Sequence, residues 1–149
     1  MSARRSPSLL ARALALQARR EHSRAELAQR LAPHAKDPDE VERTLDALAS
    51  KGLLSEARFV EALVHRRSGR FGSARIRHEL KDKGIAGDLL RSATAALAGS
   101  ELDRARAVWR KKFGSAPASA AERARQMRFL AGRGFAAEVV RKVVGGDDE

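Results

Sequence analysis

Groups able to do covalent or acid–base chemistry are sparse in this chain of 149 residues. It contains no cysteine, which excludes disulfides, thiol nucleophiles and cysteine-ligated zinc. His78-Glu79 opens like the helix of a zinc protease, but Asp82 stands where the second histidine would have to be. Gly69-Arg70-Phe71-Gly72 and Gly132-Arg133-Gly134 lack the Gly-Lys-Ser/Thr ending of a nucleotide phosphate loop, and read as turns beside helices. Asp37, Asp39 and Glu40 form a small carboxylate cluster that helix capping explains. No Ser/His/Asp set can be singled out. The expectation is a protein that is not an enzyme and uses no metal or cofactor.

Cations are what the chain has in abundance. Thirty Lys and Arg against nineteen Asp and Glu give a formal charge of +11, and 23 of the thirty are Arg. A guanidinium group binds phosphate or carboxylate through a two-pronged fork that an ammonium group lacks. GC-rich coding also enriches arginine, so the placement of the charge says more than its amount. Residues 21–57 carry a net charge of −3, residues 58–83 of +5 and residues 104–133 of +8. Arg4 and Arg5 add a flexible basic arm over residues 1–7. Arg66 and Arg70 share a helix face, as do Arg77 and Lys81, and as do Arg125 and Arg128. A charge run is usually a solvated helix face, but this segregation points to an anionic partner, nucleic acid or an acidic protein surface. Five Phe and one Trp are too few for base-stacking platforms, so any DNA contact is expected mostly at phosphates.

Helices must position these groups. With 29 Ala and 17 Leu against eight Val, two Ile, two Thr and no Tyr, the chain favours helix and has little from which to build a sheet. The expected class is all-α. Ser23-Arg24-Ala25-Glu26 is a capping box, Asp37-Pro38-Asp39-Glu40 adds proline at the first helical position, and Ser119-Ala120-Ala121-Glu122 is a third entrance. Gly52, Gly84, Gly99, Gly114 and Gly145 mark exits. Apolar residues at helical spacing then give nine helices, among them a sixth on Leu90, Ala93 and Leu97 and a seventh on Ala105, Trp109 and Phe113, closed by Arg110, Lys111 and Lys112. No apolar run reaches the ~20 residues of a membrane span. Arg12, Arg19 and Arg20 interrupt the first apolar stretch, so no signal-peptide core is present and a cytoplasmic location is expected.

The nine helices fall into a repeat. At an offset of 50, Ala74, Arg75, Leu80, Gly84, Ala86 and Arg91 coincide with Ala124, Arg125, Leu130, Gly134, Ala136 and Arg141, and Phe59 falls on Trp109. At an offset of 49, Ala25, Leu31, Asp39 and Leu48 coincide with Ala74, Leu80, Asp88 and Leu97. The helix punctuation coincides as well. Three tandem three-helix units are expected over residues 8–52, 53–99 and 100–145, stacked into an elongated, curved array with a long concave face, ahead of an acidic tail at residues 146–149. One compact helical bundle is the alternative.

Four pieces of the chain also carry a resemblance. They are Arg20 to Leu27, Leu45 to Phe59 through Lys51-Gly52-Leu53, Gly72 to Ile85 through Arg75-Ile76-Arg77-His78-Glu79-Leu80, and Arg123 to Leu130 with Arg133-Gly134-Phe135. In this order and spacing the chain resembles the RecX family, bacterial regulators of the RecA recombinase, over essentially its whole length. The resemblance implies three tandem three-helix repeats. It also implies a non-enzymatic protein that binds the RecA–single-strand DNA filament along its groove, restraining filament growth, strand exchange, ATP hydrolysis and repressor cleavage. The acidic ending Gly145-Gly146-Asp147-Asp148-Glu149 departs from the pattern and has no assigned role.

Three readings follow. In the first, a filament-binding regulator touches RecA or DNA through Arg66, Arg67, Arg70, Phe71, Gly72, Arg75, Arg77, Lys81, Lys83, Arg110, Lys111, Lys112, Arg123, Arg125, Arg128 and Arg133. Phe71 fits a contact or a core role equally. The second is a general helical DNA-binding module that contacts phosphates without RecA. The third is a protein-only scaffold. Partners are thus the RecA filament and single-strand DNA, directly or through RecA, with no membrane, and a monomer is expected because no long coiled-coil seam is present.

Overall fold

The computed structural model describes residues 6–145. Arg4 and Arg5 of the expected basic arm, and the acidic tail at 146–149, lie outside the described residues. Among the described residues there are eight α-helices and no strand: α1 (Leu9–Arg19), α2 (Arg24–Leu31), α3 (Pro38–Ser50), α4 (Glu56–Arg67), α5 (Ser73–Asp82), α6 (Gly87–Lys112), α7 (Ala120–Gly132) and α8 (Ala137–Gly145), with a 3-10 turn at Ala32–His34.

The expected entrances form as their chemistry requires. Ser23 accepts the Glu26 N–H and the Glu26 carboxylate accepts the Ser23 N–H, so two donors that a helix start leaves free are satisfied together. Asp37 accepts the Glu40 N–H at 2.8 Å ahead of Pro38, while the Glu40 carboxylate reaches back to the Lys36 N–H at 2.8 Å. Those two carboxylates cap α3, as expected. Ser119 accepts the Glu122 N–H at 3.1 Å, and Glu122 takes the Ala118 N–H, one residue beyond a strict box.

One exit does not form. The expected sixth and seventh helices are the single 26-residue helix α6, and Gly99 lies inside it with no left-handed twist. Interior glycine costs a helix only about 1 kcal/mol, and here Leu90, Leu97, Glu101 and Ala105 form one buried stripe that runs across the glycine. Burial of that stripe outweighs the local signal.

The chain divides into two compact units, Met1–Ala62 with Lys83–Ile85, and Leu63–Asp82 with Ala86–Glu149. The division falls inside α4, so it does not follow the sequence repeat. In the first unit Leu9 and Ala13 of α1, Leu27 and Leu31 of α2, Val41, Leu45 and Leu48 of α3 and Leu54 make one apolar core. In the second, Ala105, Leu130, Phe135, Val140 and Val144 cluster between α6, α7 and α8, while Ile76, Leu80, Leu90 and Leu97 are also buried. Trp109 is only half-buried, and its indole N–H donates to Gln126 Oε1 at 2.8 Å, whose amide nitrogen donates in turn to the Ser115 carbonyl.

A shared packing contact gives the repeat a structural counterpart. Gly84, with φ +85°, lies so near α2 that a Cβ there would stand 2.7 Å from the Ala25 Cβ. Gly134, with φ +92°, lies against α5 in the same manner, where a Cβ would stand 2.5 Å from that of Arg75. Gly84 and Gly134 are separated by the sequence offset of 50, while Arg75 lies one residue past Ala74, the position that the offset of 49 assigns to Ala25.

Candidate functional site

In the second compact unit the turn between α4 and α5 is pinned from two sides. The Gly72 N–H donates to the Arg133 carbonyl at 2.7 Å and the Ala74 N–H to the Gly134 carbonyl at 3.3 Å, so two turns meet backbone to backbone. From α6, the half-buried Arg104 guanidinium donates to the carbonyls of Ser68 (3.0 Å), Phe71 (2.7 Å) and Leu97 (3.1 Å) and to the hydroxyls of Ser73 (3.1 Å) and Ser100 (2.9 Å). Burial pulls the Arg104 pKa below that of a free guanidinium, and the charge of Glu101 opposes this. One turn before it on α6, the buried Glu101 accepts the N–H of Ser73 at 3.3 Å and that of Ala136 at 3.2 Å. A single carboxylate thus serves the N-terminal ends of both α5 and α8.

This scaffold presents Phe71 at the centre of a cationic cluster. The guanidinium carbons of Arg75, Arg133, Arg70 and Arg67 lie 4.1, 5.3, 5.8 and 5.9 Å from its ring centre. Arg133 also lies 5.1 Å from the Phe129 ring, with Lys112 Nζ at 5.4 Å, and Phe129 meets Phe113 edge to face at 5.5 Å. The aromatic faces hold charges of like sign close together, each contact contributing about 0.5–1 kcal/mol at an exposed site. Arg67 is neutralised by a two-pronged pair with Glu79, at 3.2 Å on both bonds. Arg70, Arg75 and Arg133 have no carboxylate partner among the described residues. A shallow cleft of about 290 Å³ opens beside them, lined by Arg67, Phe71, Arg75, His78, Glu79 and Asp82. Three unneutralised forks around one ring can take an anion with several acceptor oxygens, a phosphate or a carboxylate. The Phe71 ring is already occupied by guanidinium groups and is not free to stack a base.

The sequence-based candidates therefore separate. Arg67, Arg70, Phe71, Arg75 and Arg133 converge, with Lys112 joined through Phe129. Arg66, Arg77 and Lys81 are exposed on α4 and α5, Arg110 and Lys111 at the end of α6, and Arg123, Arg125 and Arg128 on α7. Gly72 is buried, and a Cβ there would run into the Gly134 backbone, so its part is the close approach of two turns. Lys83 belongs to the first unit, where its ammonium pairs at 3.4 Å with the buried Glu26. Arg104, Glu101 and Phe129 were missed. The signal for the first two was charge on an apolar helical stripe, and it was hidden by the helix break expected at Gly99.

The profile of the second three-helix domain of RecX matches residues 55–93, and that of the third matches residues 100–144. The regulatory protein RecX of Leptothrix cholodnii is 58% identical over 92% of this chain and 87% of its own length. The chain belongs to the RecX family. The regulatory protein RecX of Ralstonia nicotianae is 51% identical, across 95% of this chain and 89% of its own. Among solved structures, RecX from Lactobacillus salivarius superposes with a TM-score of 0.77 over 94% of both chains at 14% identity. A second RecX structure gives 0.74 at 16% identity, over 93% of this chain and 72% of its own. At such identities the likeness speaks for the RecX fold alone.

Proposed function

We propose that this RecX-family chain is a non-enzymatic regulator that binds the RecA–single-strand DNA filament and lowers its recombinase, ATPase and coprotease activities. The observation that carries the reading is the convergence of unneutralised Arg70, Arg75 and Arg133 about Phe71 in a member of a family of regulatory proteins. The three-helix repeats over 8–52, 53–99 and 100–145 are the units of this regulator, which works in the cytoplasm as a monomer. Bidentate forks without a base-stacking surface suit a partner recognised by its backbone phosphates or surface carboxylates, and not by its sequence. A regulator that contacts neighbouring protomers biases their arrangement, and through it ATP turnover, without touching nucleotide.

The test is the RecA ATPase on single-strand DNA with the chain added at stoichiometric levels. A fall in turnover is expected, and unchanged turnover overturns the reading. Tight binding to naked DNA with a steep salt slope, indifferent to RecA, makes the chain a general DNA-binding module instead. The double substitution Arg75→Glu and Arg77→Glu should raise the amount of chain needed for half-inhibition by roughly tenfold, the equivalent of ~1.4 kcal/mol of lost binding. Circular dichroism should stay unchanged, because both side chains are exposed and neither lies on the Ile76–Leu80 apolar stripe.

A further inference from the structure

The first compact unit holds a second cationic site, built unlike the one around Phe71. A cleft of about 560 Å³ runs between α1 and α2. Its floor is apolar, with Ala15 and Leu16 on one side and Leu31 on the other, while Arg12, Arg19 and Arg30 stand around it. These arginines have no carboxylate partner among the described residues, although the segment beside them is net acidic. Most of its acids are engaged elsewhere: Glu21 with Arg58, Glu26 with Arg20 and Lys83, Glu42 and Asp46 with Arg24. Glu56 takes the Arg24 N–H at 2.7 Å, and Asp37 and Glu40 cap α3. Arg12 Nε is sealed from solvent and has no hydrogen-bond partner among the described residues, a state that costs free energy wherever a polar group persists in it.

We propose that this cleft is a docking site for an acidic protein segment that inserts one apolar side chain between α1 and α2 and sets flanking carboxylates on Arg12, Arg19 and Arg30. Two features choose a peptide over nucleic acid. The lining holds no Phe, Tyr or Trp and no carboxylate, amide or hydroxyl side chain, and the exposed His34 is its one ring and its one side-chain acceptor, too little to stack and read successive bases. A phosphate alone makes no use of the apolar floor, whereas an aliphatic side chain buries its surface there. Carboxylates match the planar guanidinium fork. The proposal does not depend on the filament reading, whose residues lie elsewhere in the sequence.

The experiment is a nitrogen-15 amide NMR titration of the full chain with acetyl-leucyl-glutamate amide. Saturable shifts are expected at the amides of Ala11, Ala15, Leu16 and Leu31, with a midpoint on the order of millimolar, as suits so small a ligand. Acetyl-leucyl-glutamine amide should bind about tenfold more weakly, the loss of one charge-assisted contact. Arg12→Glu with Arg30→Glu should abolish the shifts. Arg12→Lys, which keeps the charge and loses the fork, should weaken them, and the spectra themselves report whether each variant folds. Absence of saturable shifts in the native chain overturns the proposal. So does an equal response to inorganic phosphate or oligothymidylate, which assigns the cleft to nucleic acid. Concentration-dependent shifts of the same amides in the protein alone assign it to a second copy.

Discussion

Gly72 and Glu26 show how far a residue's role depends on what lies across from it. At Gly72 two backbones meet, and a methyl group would overlap the Gly134 carbonyl. Overfilling a packed site usually costs about 1–3 kcal/mol, and with backbone on both sides Gly72→Ala should lie at the upper end, read from urea unfolding. Glu26 makes a different point. Burial alone would push its carboxyl pKa up, but the Arg20 side-chain bond, the Ser23 N–H and the charges of Arg20 and Lys83 hold it down to about 2. Since the folded pKa is depressed below the unfolded one, the stabilisation is fully present above the unfolded value of roughly 4.3. It is lost as the pH falls toward 2. Allowing for the partial exposure of Arg20, its size should be about 2–3 kcal/mol. Thermal melts between pH 5 and pH 2 should therefore show a steep loss of stability, which Glu26→Gln flattens by lowering the high-pH end.

Helix α6 is the element on which both helix register and site geometry turn. Gly99 was expected to end a helix, yet the chain passes through it, and a Cβ there would meet nothing within 4 Å. Gly99→Ala should therefore stabilise the protein by about 0.5–1 kcal/mol, the ordinary gain for alanine in a helix interior, measured by thermal denaturation. A loss of stability would mean that the helix breaks there after all. Continuity matters because it fixes Glu101 and Arg104 in register with Leu97 and Ala105 on one rigid helix. From that face Glu101 reaches the starts of α5 and α8, and Arg104 holds the turn that carries Phe71. Two separate helices would leave that geometry to a hinge.

Across the whole molecule, one contact recurs. Gly84 against Ala25 and Gly134 against Arg75 are the same close approach, left-handed glycine to helix, fifty residues apart. If the repeat is structural, Gly84→Ala and Gly134→Ala should each destabilise, by strain at positive φ together with the clash, and by amounts within about 1 kcal/mol of one another. Calorimetry of the two variants checks this, and a large cost at one glycine alone would mean the sequence repeat has no shared packing. The three expected units and the two compact units are cut at different places because α4 gives its early turns to one unit and its last turn to the other.

The sequence by itself determined the helical class, the caps at Ser23, Asp37 and Ser119, most of the core stripes and the family, because these rest on spacings of three to five residues and on short ordered motifs. It also showed which segments carry the positive charge. Which of those cations act together was decided only by the tertiary structure. Arg133 reaches Phe71 because a backbone pairing between residues 72 and 133 draws their turns together, and no local pattern encodes a contact across sixty residues. The same holds for Lys83, basic in sequence but paired with Glu26, and for Arg12, whose Nε the fold buries without a partner among the described residues. Side-chain charge is a property of the residue, whereas a binding surface belongs to whatever the fold leaves unneutralised.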